Sequence, residues 1–380
     1  MLALRLARGA SPPALLRRLL VAAASAGVGF LLLSALAYAL AHPGDPAGGR
    51  RLMWCAVPLA AAVYLAVVVA RMDPGTRPRT GLSALGLGPG RLAALAAGST
   101  ALSAALGSVL ALLLFLRLRG DPPGGTAAEV LAAGRPLPLA ATLTLLALVP
   151  LTASAATALV LRPRGEPAKA PPAVRRGAEE TPGGLPWGCA LTAAGLAIGT
   201  YAARSGTGKA FPLPGELGAH PAGVLIGWVL TAVGLAVAGP ALTHFCGRLL
   251  QSARPGAVRL LAGRVLMAES GRIGRPLGVV CAVASALIAA WTLDGAGPRP
   301  FGPLTAAGAW LVVACTTATL ITSAAEARVD RAPVMGELRR LGAPAGALRT
   351  AALLRIVALV VILAPLTWAV ATLAAAPLTS

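Results

Sequence analysis

Nine apolar runs divide this chain: residues 19–41, 53–70, 92–116, 138–161, 187–203, 223–245, 276–293, 304–324 and 351–376. Each is about the length of helix needed to cross some 30 Å of hydrocarbon, which takes roughly 20 residues. Short polar or glycine- and proline-bearing breaks separate them, so the pattern predicts an all-α polytopic membrane protein of about nine transmembrane helices. Many of the runs are alanine-rich, and alanine drives insertion only weakly. For the first run the rival reading is a cleavable signal sequence, since Ala37, Ala39 and Ala41 offer small residues. Its length exceeds the roughly 7–15-residue core of such signals, so a retained helix is expected.

Segment 334–353 breaks the pattern. It is too short and too polar to span, and its apolar and charged positions predict a helix lying at the membrane surface, a turn at Gly342, Ala343 and Pro344, and a second helix that feeds run 351–376. Leu338 and Leu341 lie three apart, on one face. Glu337 and Arg340 have the same spacing and can pair with each other or with a partner. Gly342 and Pro344 suit the turn, and Gly346 allows close approach. A docking element for a partner groove fits this segment, and so does an amphipathic elbow whose Arg339 and Arg340 rest on lipid phosphates.

An earlier stretch echoes it. Leu82, Leu85, Gly86, Gly90 and Leu92 match Leu338, Leu341, Gly342, Gly346 and Leu348 at a constant offset of 256 residues. Both stretches follow an apolar run, carry basic residues (Arg91 in the first) and lead into another apolar run, so an internal repeat is the economical reading. The copies differ where Ser83 and Ala84 stand opposite Arg339 and Arg340. Between the halves, residues 162–186 are rich in proline, glycine and charge. They are expected to form a flexible cytoplasmic joint.

Composition agrees with the pattern: of 380 residues, 57% are hydrophobic and only 12% charged. The formal net charge is +20, which raises nucleic-acid binding as a question. The arginines stand in short clusters between apolar runs with few aromatics to stack bases, so no nucleic-acid partner is expected. Placing the N-terminus inside puts 25 of the 33 basic residues in cytoplasmic segments, the bias that the positive-inside rule requires. A multi-pass protein of the cell membrane with a cytoplasmic N-terminus is expected.

Catalytic chemistry is not visible. The five cysteines show no C-x-x-C spacing and read as small hydrophobes. Residues 205–210 approach a phosphate loop, but Ala203 and Ala210 occupy positions that need glycine and Ser/Thr. The carboxylates are read as lying in loops or at helix ends, which leaves none for an intramembrane proton relay. Gly195/Gly199 and Gly223/Gly227 form small-xxx-small motifs, open to oligomerisation or to internal packing.

The run Gly336, Glu337, Leu338, Arg339, Arg340, Leu341, Gly342, Ala343, Pro344, ahead of a basic helix start and a long apolar run, resembles the cytoplasmic segment of FtsX-like permeases, the membrane subunits of MacB-type ABC transporters. Residues 261–275 are similar to the amphipathic helix that leads into a repeat of that family. The resemblance implies two degenerate FtsX-like repeats with a connecting helix pair: residues 1–161 as a first repeat of about four helices, 187–245 as the connecting pair, and 246–380 as a second repeat of about three. It implies a coupling segment at Glu337, Leu338, Arg339, Arg340, Leu341, Gly342, Pro344 and Gly346, with an equivalent at Leu82, Leu85, Gly86, Gly90 and Arg91. By the same resemblance the chain binds no cofactor of its own, ATP being held by a separate cytoplasmic ABC ATPase, and it works in the bilayer as a homodimer or a heterodimer of permeases. Loops 42–52 and 294–303 are too short for the extracytoplasmic domain that family members usually carry. A secondary transporter or exporter without an ATPase, and a non-transporting sensor or regulator, remain the alternatives.

Overall fold

A computed structural model of the chain describes residues 12–45, 47–72, 89–120, 137–162, 184–205, 210–212, 219–252, 256–293, 302–342 and 344–379. Residues 163–183 of the expected joint, residues 206–209 of the phosphate-loop look-alike, and Leu82, Leu85 and Gly86 lie outside the described residues. The protein is all-α and polytopic. Its helices are α1 (Pro12–Ala41), α2 (Ala47–Trp54), α3 (Ala56–Arg71), α4 (Pro89–Arg119), α5 (Leu139–Leu161), α6 (Gly184–Ser205), α7 (Ala222–Ser252), α8 (Ala257–Leu293), α9 (Pro303–Arg340) and α10 (Ala345–Thr379). Strands β1 (Ala210–Pro212) and β2 (Ala219–Pro221) pair antiparallel, with Phe211 opposite His220.

All nine apolar runs are helical, and among the described residues eight helical stretches are long and apolar enough to cross a membrane, α2 and α3 counting as one. The ninth, α6, spends many of its 22 residues on glycine and alanine, and it is not among the eight. A hydroxyl in hydrocarbon has no water to bond. Many threonines and serines of the spans accordingly donate to carbonyls three or four residues back in their own helices, as Thr157 does to Ala153 O at 2.8 Å and Thr319 to Cys315 O at 2.6 Å.

The chain forms two compact units. One holds Met1–Lys169 and Gly302–Thr322, the other Ala170–Phe301 and Ser323–Ser380, so the residues of α9 are divided between them. In the first unit, α1 is the central helix. Val21, Val28 and Leu32 of α1 pack with Leu65 and Val69 of α3, Ala104 of α4, Val149 of α5 and Cys315 of α9. Phe30 meets Phe115 edge to face at 6.1 Å, and Ser108 bridges α4 to α5 by donating to Leu146 O at 3.1 Å. At the end of α1, Asp45 Oδ1 accepts the Ala47 N–H at 2.8 Å in an Asx-turn that starts α2. Tyr38 stacks on His42 and lies under the Arg51 guanidinium, 3.5 Å from its ring centroid.

In the second unit α7 is central, and its two faces are lined with glycine. A Cβ at Gly195 of α6 would stand 2.6 Å from Gly227 O of α7, and a Cβ at Gly227 would stand 2.8 Å from Gly199 N. Gly223 faces Ala202 in the same way. Both small-xxx-small motifs therefore serve packing within the chain. On the other face of α7, Gly239 and Gly247 approach Gly274, Gly278 and Gly263 of α8. Without a hydrophobic drive between helices in lipid, such close approach is the main source of cohesion.

Three expectations are corrected. Residues 257–275 and 276–293 form one helix that passes through Pro276, and residues 334–340 are the end of the 38-residue α9 and not a separate surface helix. Good helix formers fill 324–340, and its lone Pro333 costs one backbone bond without ending the helix. Acidic residues are not confined to loops and helix ends: Glu269 lies within α8 and Asp330 within α9.

Two outcomes are expected. Gly195→Ala should lower thermal stability by about 1–3 kcal/mol, because its methyl meets backbone, whereas Gly199→Ala, whose own Cβ would have open space, should be nearly neutral; thermal denaturation in detergent compares them. The Ala47 N–H chiefly holds the Asp45 carboxyl below its usual range, aided by Tyr38 and Arg50. Its contribution is complete above the unfolded carboxyl pKa and is lost as pH falls through the lowered folded value. Amide-exchange protection at the start of α2 should fall over that acidic window, and in Asp45→Ala at every pH.

Candidate functional site

Helices α8, α9 and α10 hold 37, 38 and 35 residues, lengths of about 52–57 Å at 1.5 Å per residue, well beyond a 30 Å hydrocarbon layer. The excess in the first two is polar. It falls at the start of α8, before Pro276, and at the end of α9, beyond Ala324. The α9 excess of 16 residues, 325–340, corresponds to about 24 Å of helix.

Its tip carries the coupling segment expected from the sequence. Glu337, Arg339 and Arg340 are exposed, Leu341 is 83% exposed, and Leu338 lies in the last turn of helix. Gly342 takes φ +89°, a backbone conformation that disfavours a side chain, and hydrogen bonds from Leu341 N to Glu337 O and from Gly342 N to Arg339 O close the helix end. Pro344 follows, exposed, and its carbonyl accepts the Ala347 N–H at 3.0 Å as α10 begins, with Gly346 exposed beside it. The expected pairing occurs: Arg340 Nη1 lies 3.2 Å from Glu337 Oε1. Both side chains are mostly in solvent, where such a pair contributes little to stability. Of the first-copy residues, Gly90 and Arg91 lie exposed in the opening turn of α4.

Below the tip lies a charged cluster that the sequence reading missed. Arg331 Nε of α9 stands 2.6 Å from Glu269 Oε1 of α8, and the two side chains are only 21% and 12% exposed. Arg272 of α8 pairs with Asp330 of α9. Arg355 of α10 is within electrostatic reach of Glu269, Arg331 and Arg328. Close backbone approaches between this part of α9 and helices α8 and α10 are few, so long charged side chains carry the link. The sequence held one clue. Glu269 and Arg272 lie three apart on a helix, and Asp330 and Arg331 are adjacent, so acids sit among arginines that were read only as topogenic charge.

Among the described residues no group of three or more His, Cys, Asp or Glu could hold a metal ion. The clefts lined by Thr200, Tyr201, Arg204 and Ser205 and by Leu225, Ile226, Val229, Leu230 and Val233 are shallow and bring together no reactive set. No family model, no curated protein and no solved structure matches this chain.

Removing one member of a shielded pair leaves the other uncompensated. Glu269→Gln or Arg331→Gln should each cost about 2 kcal/mol, while the double substitution should cost less than the sum of the two. A double-mutant cycle read by thermal denaturation measures the coupling.

Proposed function

We propose that the chain is the membrane subunit of an ATP-driven transporter of the FtsX-like permease type, without catalytic residues of its own. In this reading it works in the cell membrane with its N-terminus in the cytoplasm. A separate cytoplasmic ATPase binds and hydrolyses ATP, and its closure moves the helices of this subunit. The cargo is exported or moved within the membrane plane.

One observation carries the proposal: α9 runs unbroken from an apolar span into a polar projection of 16 residues whose tip is exposed. A continuous helix transmits a displacement at one end to the other, which a flexible loop would absorb. The tip offers Leu341, Val334 and a mix of charges to a partner surface, the composition of a helix that docks in a groove. The family resemblance at Gly336 to Pro344 supports the same assignment.

A second reading, ion-coupled transport without an ATPase, draws support from Glu269, a carboxylate shielded by Arg331 within seven residues of an apolar run. The two readings separate experimentally. Under the first, the full chain co-purifies with an ATPase and changes its hydrolysis rate. Substituting Glu337, Arg339 and Arg340 together by alanine should lower that association at least tenfold, with membrane insertion unchanged. Uptake by the chain alone in liposomes, driven by an ion gradient and lost in Glu269→Gln, would overturn the first reading in favour of the second. A chain that modulates a partner but moves no cargo in either assay would be a sensor.

A further inference from the structure

We propose that Arg355, Arg328 and Arg331 form a binding site for the phosphate of an anionic lipid headgroup, set where α9 leaves and α10 enters the apolar layer.

The first argument is charge. In the cluster of α8, α9 and α10, Glu269 is taken by Arg331 and Asp330 by Arg272. Arg355 and Arg328 have no carboxylate within ion-pair distance among the described residues, yet both stand close enough to interact electrostatically. Arg355 also faces Arg331. Arg355 therefore has two guanidinium neighbours, Arg331 and Arg328, against one carboxylate, Glu269, which Arg331 already holds. Like charges brought together in partly shielded surroundings repel unless an anion joins them.

The second argument is depth. The apolar run of α9 ends at Ala324, so Arg331 stands about 10 Å beyond it, whereas Arg355 stands about 6 Å inside the run that begins at Ala351. Their side chains bend in opposite senses along the chain. Arg331 Nε donates back to Ala327 O at 2.8 Å, toward the apolar layer, and Arg355 Nε donates back to Ala351 O at 3.3 Å, away from it. Both heads are thereby drawn toward the edge of the layer, the level of lipid phosphates, as a snorkelling arginine requires. Arg355 is half-buried and its Nε alone is engaged, leaving its terminal nitrogens for an acceptor; Arg328 is exposed. A planar guanidinium matches two phosphate oxygens at once. The site does not depend on an ATPase partner.

The test uses the full chain, delipidated in a neutral maltoside detergent and titrated with phosphatidylglycerol, phosphatidylcholine or inorganic phosphate. Native mass spectrometry reads bound lipid, and the thermal midpoint is followed in parallel. Phosphatidylglycerol should bind and raise the midpoint, and phosphatidylcholine should do so far less. Arg328→Gln and Arg355→Gln should each weaken phosphatidylglycerol binding about fivefold and together about twenty-five-fold. Arg204→Gln, an exposed arginine on α6, should change nothing. Arg328 is exposed, so its substitution keeps the test valid if Arg355→Gln misfolds. Equal binding of the two lipids, or wild-type affinity in Arg328→Gln and in every Arg355 variant that folds, overturns the proposal. Protection by millimolar inorganic phosphate as strong as that by lipid overturns the lipid source and leaves a site for a free anion.

Discussion

Hydrocarbon offers no hydrogen-bond partner, and the architecture follows from that. Every backbone N–H and C=O must be satisfied within the protein, which commits the apolar runs to helix. The same solvent removes the usual reason for helices to associate, since lipid is as apolar as the side chains facing it. What remains is closeness. In the second unit, closeness is achieved by giving α7 a glycine face toward α6 and another toward α8, so that backbone meets backbone. Most of the span hydroxyls that bond are turned onto their own helices, where they cost little, and Ser108 instead bridges α4 to α5.

Charge is thereby pushed toward the ends of the apolar runs, and there the behaviour changes. The projecting parts of α8 and α9 are in contact with water, so α9 can be held by side chains long enough to reach across a gap, with few close backbone contacts. Glu269–Arg331 is shielded, which strengthens the attraction and also raises the desolvation cost; Arg272–Asp330, with Arg272 more than half exposed, is screened by water. The anchoring of α9 to α8 in this unit thus rests on two ion pairs, of which Glu269–Arg331 is the more shielded. It is tied to a neighbouring excess of positive charge through Arg331, which belongs to both.

The nine runs were legible because hydrophobic length is a one-dimensional property, and the turn at Gly342 was legible because glycine and proline act locally. Helix continuity was harder to read. Polarity at 257–275 and 325–340 marks where apolar surroundings end, and it was taken for the end of the helix, although glutamate, arginine and alanine continue a helix in water as well as any residues. The ion pairs were illegible for another reason. Whether Glu269 meets Arg331 depends on the rotation and stagger of two helices about sixty residues apart, which no local pattern encodes. The glycine motifs were visible as motifs, but only the facing of Gly195 with Gly227 decided between packing inside the chain and packing between chains.

The order of features along the end of α9 bears on how a pull at its tip would travel. The anchor, Asp330 and Arg331, comes first; Pro333 follows; the exposed residues Glu337, Arg339, Arg340 and Leu341 come last. Proline removes one hydrogen bond from the helix ladder, the one from position 333 to the Val329 carbonyl, so the weakened turn, 329–333, contains the anchor residues. The ion pairs to α8 therefore brace the turn that proline weakens, and a displacement at the tip meets that turn before it reaches the apolar part of α9. In the proposed coupling role, the brace would keep α9 stiff enough to pass a push from its tip to its apolar part. Removing Glu269 would then soften the link between tip and span as well as the link between α9 and α8.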